Sequence, residues 1–170
     1  MGLNSKLVIS ATADLVSSPD GLGVASVPMT KVYSAILTSG IAAGMADKVY
    51  HASRTLAPSA NESLDLAGVL LDPLGAVLTF VKIKGIVVAS AVANANDVVV
   101  GNAASNAWAA LLGATSTVTL KPGAVFAAFA GQADGAGWAV TAGTGDQLKI
   151  LNGGAGTSVT YDIIVVGTSA

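Results

Sequence analysis

Residues 76–91 read AVLTFVKIKGIVVASA, the longest run in the chain rich in β-branched and aromatic side chains. At a two-residue repeat, Val77, Thr79, Val81, Ile83 and Val87 share one face. Lys82 and Lys84 fall on the other face, between Leu78, Phe80, Ile86 and Val88. The run reads as one long central strand. A membrane span is the competing reading, and it fails because each mid-segment lysine would cost about 2.5–3.5 kcal/mol in the bilayer core.

Outward from this strand, the punctuation is that of an all-β chain. Downstream, residues 98–100, 115–121, 124–130, 137–142, 146–151 and 157–166 are strand-like and are separated by Gly, Pro, Asn and Asp at spacings of roughly 8–12 residues. Residues 115–121 and 157–166 alternate most cleanly. Upstream, residues 5–16, 30–37 and 49–56 read as strands, and residues 39–47 carry no assignment. Between the first two strands, Pro19, Asp20, Gly21, Gly23 and Pro28 make residues 17–31 an extended arm. The stretch NAWAALL, residues 106–112, supports helix and strand equally. The expectation is a single jelly-roll-like β-sandwich over residues 31–170, preceded by an N-terminal strand and arm over residues 1–30. No fixed repeat period recurs, which argues against a solenoid or propeller.

With 170 residues the chain fits one domain. Its balance is unusual, because charged residues make up 11% where about 25% is typical, while hydrophobic residues reach 52%. A chain so poor in charge implies surface that is covered in the working state, hence an oligomer or a part of a larger assembly. A net charge of −2, one arginine and scattered lysines argue against nucleic acid. The absence of cysteine excludes disulfides. The stretch MGLNSKLVIS lacks the apolar core of a signal peptide, so synthesis in a cytoplasm is expected.

Candidate chemistry is sparse. The one histidine, His51, lies in an alternating strand context without a nucleophile, carboxylate or ligand cluster beside it, and reads as a polar residue on a sheet face. Acidic residues come singly, mostly beside Gly, Asn or Pro, where they cap turns; a glycosidase pair or a calcium loop is the weaker reading. Gly143-Thr144-Gly145-Asp146 lacks the third glycine of a dinucleotide fingerprint, and no P-loop occurs. Trp108 and Trp138 are either core or interface anchors or a platform on which a sugar ring could stack. No catalytic residue, metal ligand or cofactor is expected.

Several stretches carry a family likeness: LDLAG (64–68), LLDPLGAVLTFVKIKGIVV (70–88), DVVVGNAASNAW (97–108), LKPGAVF (120–126) and WAVTAGTGDQLKILNGGAGTSVTYDIIVVGTS (138–169). Over roughly its last two thirds the chain resembles tailed-bacteriophage virion proteins of the β-sandwich, capsid-decoration or cement type. The resemblance implies a structural part of the virion, assembled in the host cytoplasm, that binds the outer face of the major capsid protein lattice as a homotrimer. It implies no enzymatic residues, nucleic acid or membrane. The candidate interface then comprises Pro19, Leu22, Val24, Val27 and Pro28 of the arm, together with Trp108 and Trp138. A tail or baseplate component is the nearest alternative, and a glycan-binding module for host attachment is the alternative of another class.

Overall fold

The computed structural model describes residues 2–18 and 21–170. Strands dominate, and no helix occurs among these residues. They are β1 (Ser5–Ser17), β2 (Ala25–Ser39), β3 (Met45–Ala46), β4 (Lys48–Leu56), β5 (Asn61–Asp65), β6 (Lys82–Ser90), β7 (Val98–Gly101), β8 (Thr117–Leu120), β9 (Val125–Phe129), β10 (Trp138–Ala139), β11 (Gln147–Asn152) and β12 (Val159–Thr168). One sheet runs β10-β6-β12-β4, with β9 also paired to β6. A second runs β5-β11-β7-β8. Their inner faces meet in one core. Tyr50 and Leu56 of β4, Ile83, Ile86 and Val88 of β6, and Tyr161, Ile163 and Val165 of β12 pack with Leu64, Val98, Val100, Leu120, Leu148 and Ile150 of the facing sheet. The chain is thus an all-β sandwich, as its punctuation predicts.

The long central strand is shorter than its hydrophobic run. β6 begins only at Lys82. Residues 76–81 leave the ladder because Asp72 folds the preceding segment back: its carboxylate accepts the N–H groups of Leu74 and Ala76 at 2.8 and 2.9 Å. The backbone then bonds locally, Leu78 N–H to the Leu70 carbonyl and Phe80 N–H to that of Leu66. Both side chains still enter the core.

Within β6, the pairing with β12 slips by one residue. Gly85 faces Val166, Ile83 faces Gly167, and Lys84 between them has no partner in the ladder. A bulge reverses the alternation of a strand. Here it explains why Ile86 and Val88 point inward on one side of it and Ile83 on the other. Lys84 is thereby turned under the 131–137 loop and buried, its ammonium donating to the Asp134 carbonyl at 2.7 Å. The face pattern expected for residues 76–91 therefore holds only on one side of the bulge.

NAWAALL forms neither helix nor strand. Ala107 makes a single bridge to Gln147, and residues 110–112 turn toward Gly113, whose positive φ of 86° ends the segment. The segment is held open because Trp108 N–H is committed to the Gln147 carbonyl, and Asp146 and Gln147 N–H both donate to the Asn106 carbonyl.

A polar clasp joins the two sheets. Glu62 of β5 accepts from Tyr161 of β12 at 2.8 Å and from Arg54 Nε of β4 at 2.7 Å, and Arg54 Nη1 donates to the Tyr50 hydroxyl at 3.2 Å. Glu62 also holds the Arg54 guanidinium firmly in its charged form. Burial, and then the Glu62 carboxylate, push the Tyr161 phenol far above its ordinary value of 10.0. A raised folded-state pKa gives stability that is fully present below the unfolded value and is lost as pH climbs through it. Denaturant unfolding should therefore show stability falling as pH rises past about 10, and Tyr161→Phe should flatten that fall. At neutral pH the same substitution should cost about 1 kcal/mol for the lost hydrogen bond.

Candidate interaction surface

The segment read from sequence as an irregular arm is the second half of a β-hairpin. β1 and β2 pair antiparallel along their length, from Ser5 opposite Leu37 to Ser17 opposite Ala25. β2 starts before Val27 and runs through Lys31, so residues 25–31 are strand, and of the described residues in the turn between β1 and β2 only 18 and 21–24 are irregular. The turn signals at 21 and 23 stay inside that turn. Pro28 lies within β2 opposite Asp14. Having no N–H to give a ladder, it is accommodated where the β2 backbone turns away from β1.

Opposed residues share a face, so the register sorts the ribbon into two sides. One side carries Leu7 with Ala35, Ile9 with Tyr33, Ala11 with Lys31, Ala13 with Met29, and Leu15 with Val27. The other carries Lys6 with Ile36, Val8 with Ser34, Ser10 with Val32, Thr12 with Thr30, Asp14 with Pro28, and Val16 with Ser26.

Only the base of the first side is covered. Leu37 is buried with Ala46 and Val166, and Leu3, Leu7 and Val49 pack around them. The Leu7 side chain lies directly over Gly85, where a Cβ would collide with it. This seats the hairpin on the outer face of the first sheet. β3 braces it further by pairing parallel to Thr38 and Ser39 of β2.

Beyond this seat the ribbon stands bare. On the first side Ile9, Leu15, Val27, Met29 and Tyr33 are exposed, and on the second Val8, Val16, Val32 and Ile36. At the tip Leu22 is 93% exposed and Val24 71%, while the Ser18 hydroxyl donates to the Gly23 carbonyl at 3.0 Å. A two-stranded ribbon is marginal in water, and this one is strongly apolar on its first side while its second side sets Val8, Val16, Val32 and Ile36 among serines and threonines.

Of the residues singled out from sequence, Leu22, Val24, Val27 and Pro28 are all exposed on this hairpin, and Pro19 lies outside the described residues. Trp108 is not at a surface. It is 4% exposed in the core, and its indole N–H donates to the Ala139 carbonyl at 2.9 Å, so neither a partner nor a sugar can reach its ring. Trp138 is half-buried, paired with Ile83 and packed on the same core. The two tryptophans anchor the sandwich, because large rings fill volume between sheets that the many alanines leave open.

His51 is exposed on the outer face of β4, opposite Ile164. Among the described residues no group of three or more His, Cys, Asp or Glu could hold a metal ion. The aspartates do close turns. Asp47, by contrast, makes a long-range tie by accepting Ser169 N–H, while Asp65 accepts Ala67 N–H and Asp134 accepts Ala136 and Gly137 N–H. The two N–H groups hold the Asp134 carboxyl below its ordinary value.

A second apolar area was not foreseen. Val69, Leu71, Leu74 and Val77 are exposed on the folded-back segment ahead of β6. A cleft of about 480 Å³ lies between that segment, Leu3 and Val49. Reading residues 76–91 as one strand concealed it.

No protein-family model, curated protein or solved structure matches the chain.

Proposed function

We propose that this protein is a structural subunit of a virion: a capsid decoration protein of a tailed bacteriophage that binds the outer face of the major capsid protein lattice. In this reading it works as a homotrimer and catalyses no reaction. The observation that carries the reading is the bare hairpin, an apolar, charge-poor ribbon anchored to the sandwich only at its base. The likeness of residues 64–169 to virion proteins supplies the context. Leu22, Val24, Leu15 and Val27 at the outer end of the hairpin contact the lattice by burying apolar surface, and the sandwich spreads over the neighbouring subunit. Residues 25–31 pair with β1 along one edge, so in this reading the contact is made mainly by the side chains of the hairpin.

Co-sedimentation with heads that lack the protein tests this. The full chain should pellet with the heads. The double variant Leu22→Asp, Val24→Asp should bind at least about tenfold more weakly, because each charge would have to be desolvated at the contact. Both positions are highly exposed, so its melting temperature should match that of the parent. Undiminished binding by the variant would overturn the role of the tip. Antibody label on the tail rather than the head would transfer the protein to the tail or baseplate.

A further inference from the structure

We infer that the hairpin ribbons of neighbouring copies pack on one another in a cyclic, head-to-tail manner, the Ile9/Tyr33 side of one ribbon against the Val8/Val32 side of the next. The inference does not rest on the capsid reading and holds equally for a tail component.

Exposed apolar side chains stand on both sides of the ribbon, densely on the first and as Val8, Val16, Val32 and Ile36 on the second, and this favours an occupant that covers both. A partner offering a single surface would cover one side and leave the other wet. In a ring of identical copies each ribbon lies between two others, so both sides are buried by one repeated contact. The covered base shows the same packing on a small scale. There Leu7 and Leu37 close over Val166 and Ala46, and a neighbouring ribbon would extend that apolar seam toward the tip.

Charge gives the contact its polarity. Among the described residues beyond the seated base, Lys31 is the only charged residue on the first side and Asp14 the only one on the second, whose Lys6 lies level with the base. Among the described residues neither is in an ion pair: Lys31 lies over its own Tyr33 ring at 5.9 Å, and Asp14 accepts from Ser26 at 2.6 Å. Packing like sides across a two-fold axis would set Lys31 against Lys31 or Asp14 against Asp14. Packing unlike sides sets lysine toward aspartate. The two sites are three residues apart along the ribbon, about 10 Å at strand rise, an offset that the crossing of twisted ribbons and the reach of lysine take up. Pro28 keeps the contact on the faces by denying the β2 edge a donor for strand pairing.

The natural chain has no cysteine, so disulfide trapping is free of background. Ala11→Cys places a thiol on the first side and Thr12→Cys on the second, both at exposed positions. Under mild oxidation each protein alone should stay largely unlinked, and a mixture of the two should give a covalent heterodimer. Self-linking of Ala11→Cys, with none added by mixing, would overturn the head-to-tail arrangement. Sedimentation velocity of the unmodified chain at micromolar concentration should show a closed oligomer, and a monomer there would overturn the association itself. Val32→Glu with Tyr33→Glu should weaken association by at least about tenfold while leaving thermal unfolding of the sandwich in place. Failure of head binding with the oligomer intact would count against the capsid reading alone.

Discussion

Alanine at Gly167 is expected to disrupt the sandwich, whereas alanine at Gly85 is expected to release only the hairpin. Both glycines lie beside the bulge that joins β6 to β12, and both are tightly covered, but by different material. A Cβ on Gly167 would overlap the Lys82 carbonyl oxygen and meet the Phe80 ring at 2.8 Å. The carbonyl belongs to the β6 backbone, whose ladder to β12 runs through Gly167 and Thr168. Relief requires the two innermost strands to part, a cost of about 4 kcal/mol or more, in the range reserved for severe core damage. On Gly85 the obstacle is the end of the Leu7 side chain. Leu7 can rotate away, at about 1–3 kcal/mol for overpacking, but in doing so it leaves the seat it shares with Leu37 and Val166. Denaturant unfolding with limited proteolysis separates the two outcomes. Gly167→Ala should lose cooperative unfolding or unfold at much lower denaturant. Gly85→Ala should keep a cooperative transition while its hairpin becomes the first site of cleavage. Equal losses of stability in the two variants would show that the hairpin and the sandwich are one folding unit.

The strands were legible wherever one side faces water and the other the core. β4, β8 and β12 alternate by residue type, and the structure places them within a few residues of their readings. The readings failed where that contrast disappears. In the 76–91 run both sides are apolar, because residues 76–81 are buried in part as irregular chain, and a bulge at Lys84 reverses the pattern without changing composition. In the hairpin, residues 5–16 and 30–37 read correctly as strands, and only the start of β2 was missed, for the opposite reason. Its apolar residues are legible, yet their alternation through Ala25, Val27, Met29, Tyr33, Ala35 and Leu37 was hidden by Pro28 and the nearby glycines, read as turn formers throughout. Alternation alone would have recovered β2. Which side is covered depends on Leu7 reaching Gly85, a contact between residues 78 positions apart that no local pattern encodes. The exposure of Leu22, Val24, Val27 and Pro28 was therefore legible, and the strand that carries the last two was not. Trp108 is buried by tertiary packing, and its indole bond to Ala139 of β10 spans 31 residues, which no local pattern encodes.

Trp108→Ala should cost about 3–5 kcal/mol, the range for removing a buried large aromatic side chain, because the ring sits in the core at 4% exposure among residues of both sheets. The loss has two parts that a second variant separates. Phenylalanine keeps much of the apolar volume but cannot donate to the Ala139 carbonyl, so Trp108→Phe should cost about 1–3 kcal/mol for the unpaired oxygen and incomplete filling. Trp138→Ala removes a ring that is only half-buried, and should cost less than Trp108→Ala. The ordering bears directly on function. Were Trp108 part of a sugar platform, its truncation would remove glycan binding from a protein that still melts normally. In a core role the melting temperature falls first, and any loss of binding to heads or to other copies follows the fraction unfolded. Thermal melts of the three variants, read beside glycan binding by the parent chain, decide between these roles: a normal melt for Trp108→Ala would overturn the core assignment, and a depressed one removes Trp108 from the candidate interface.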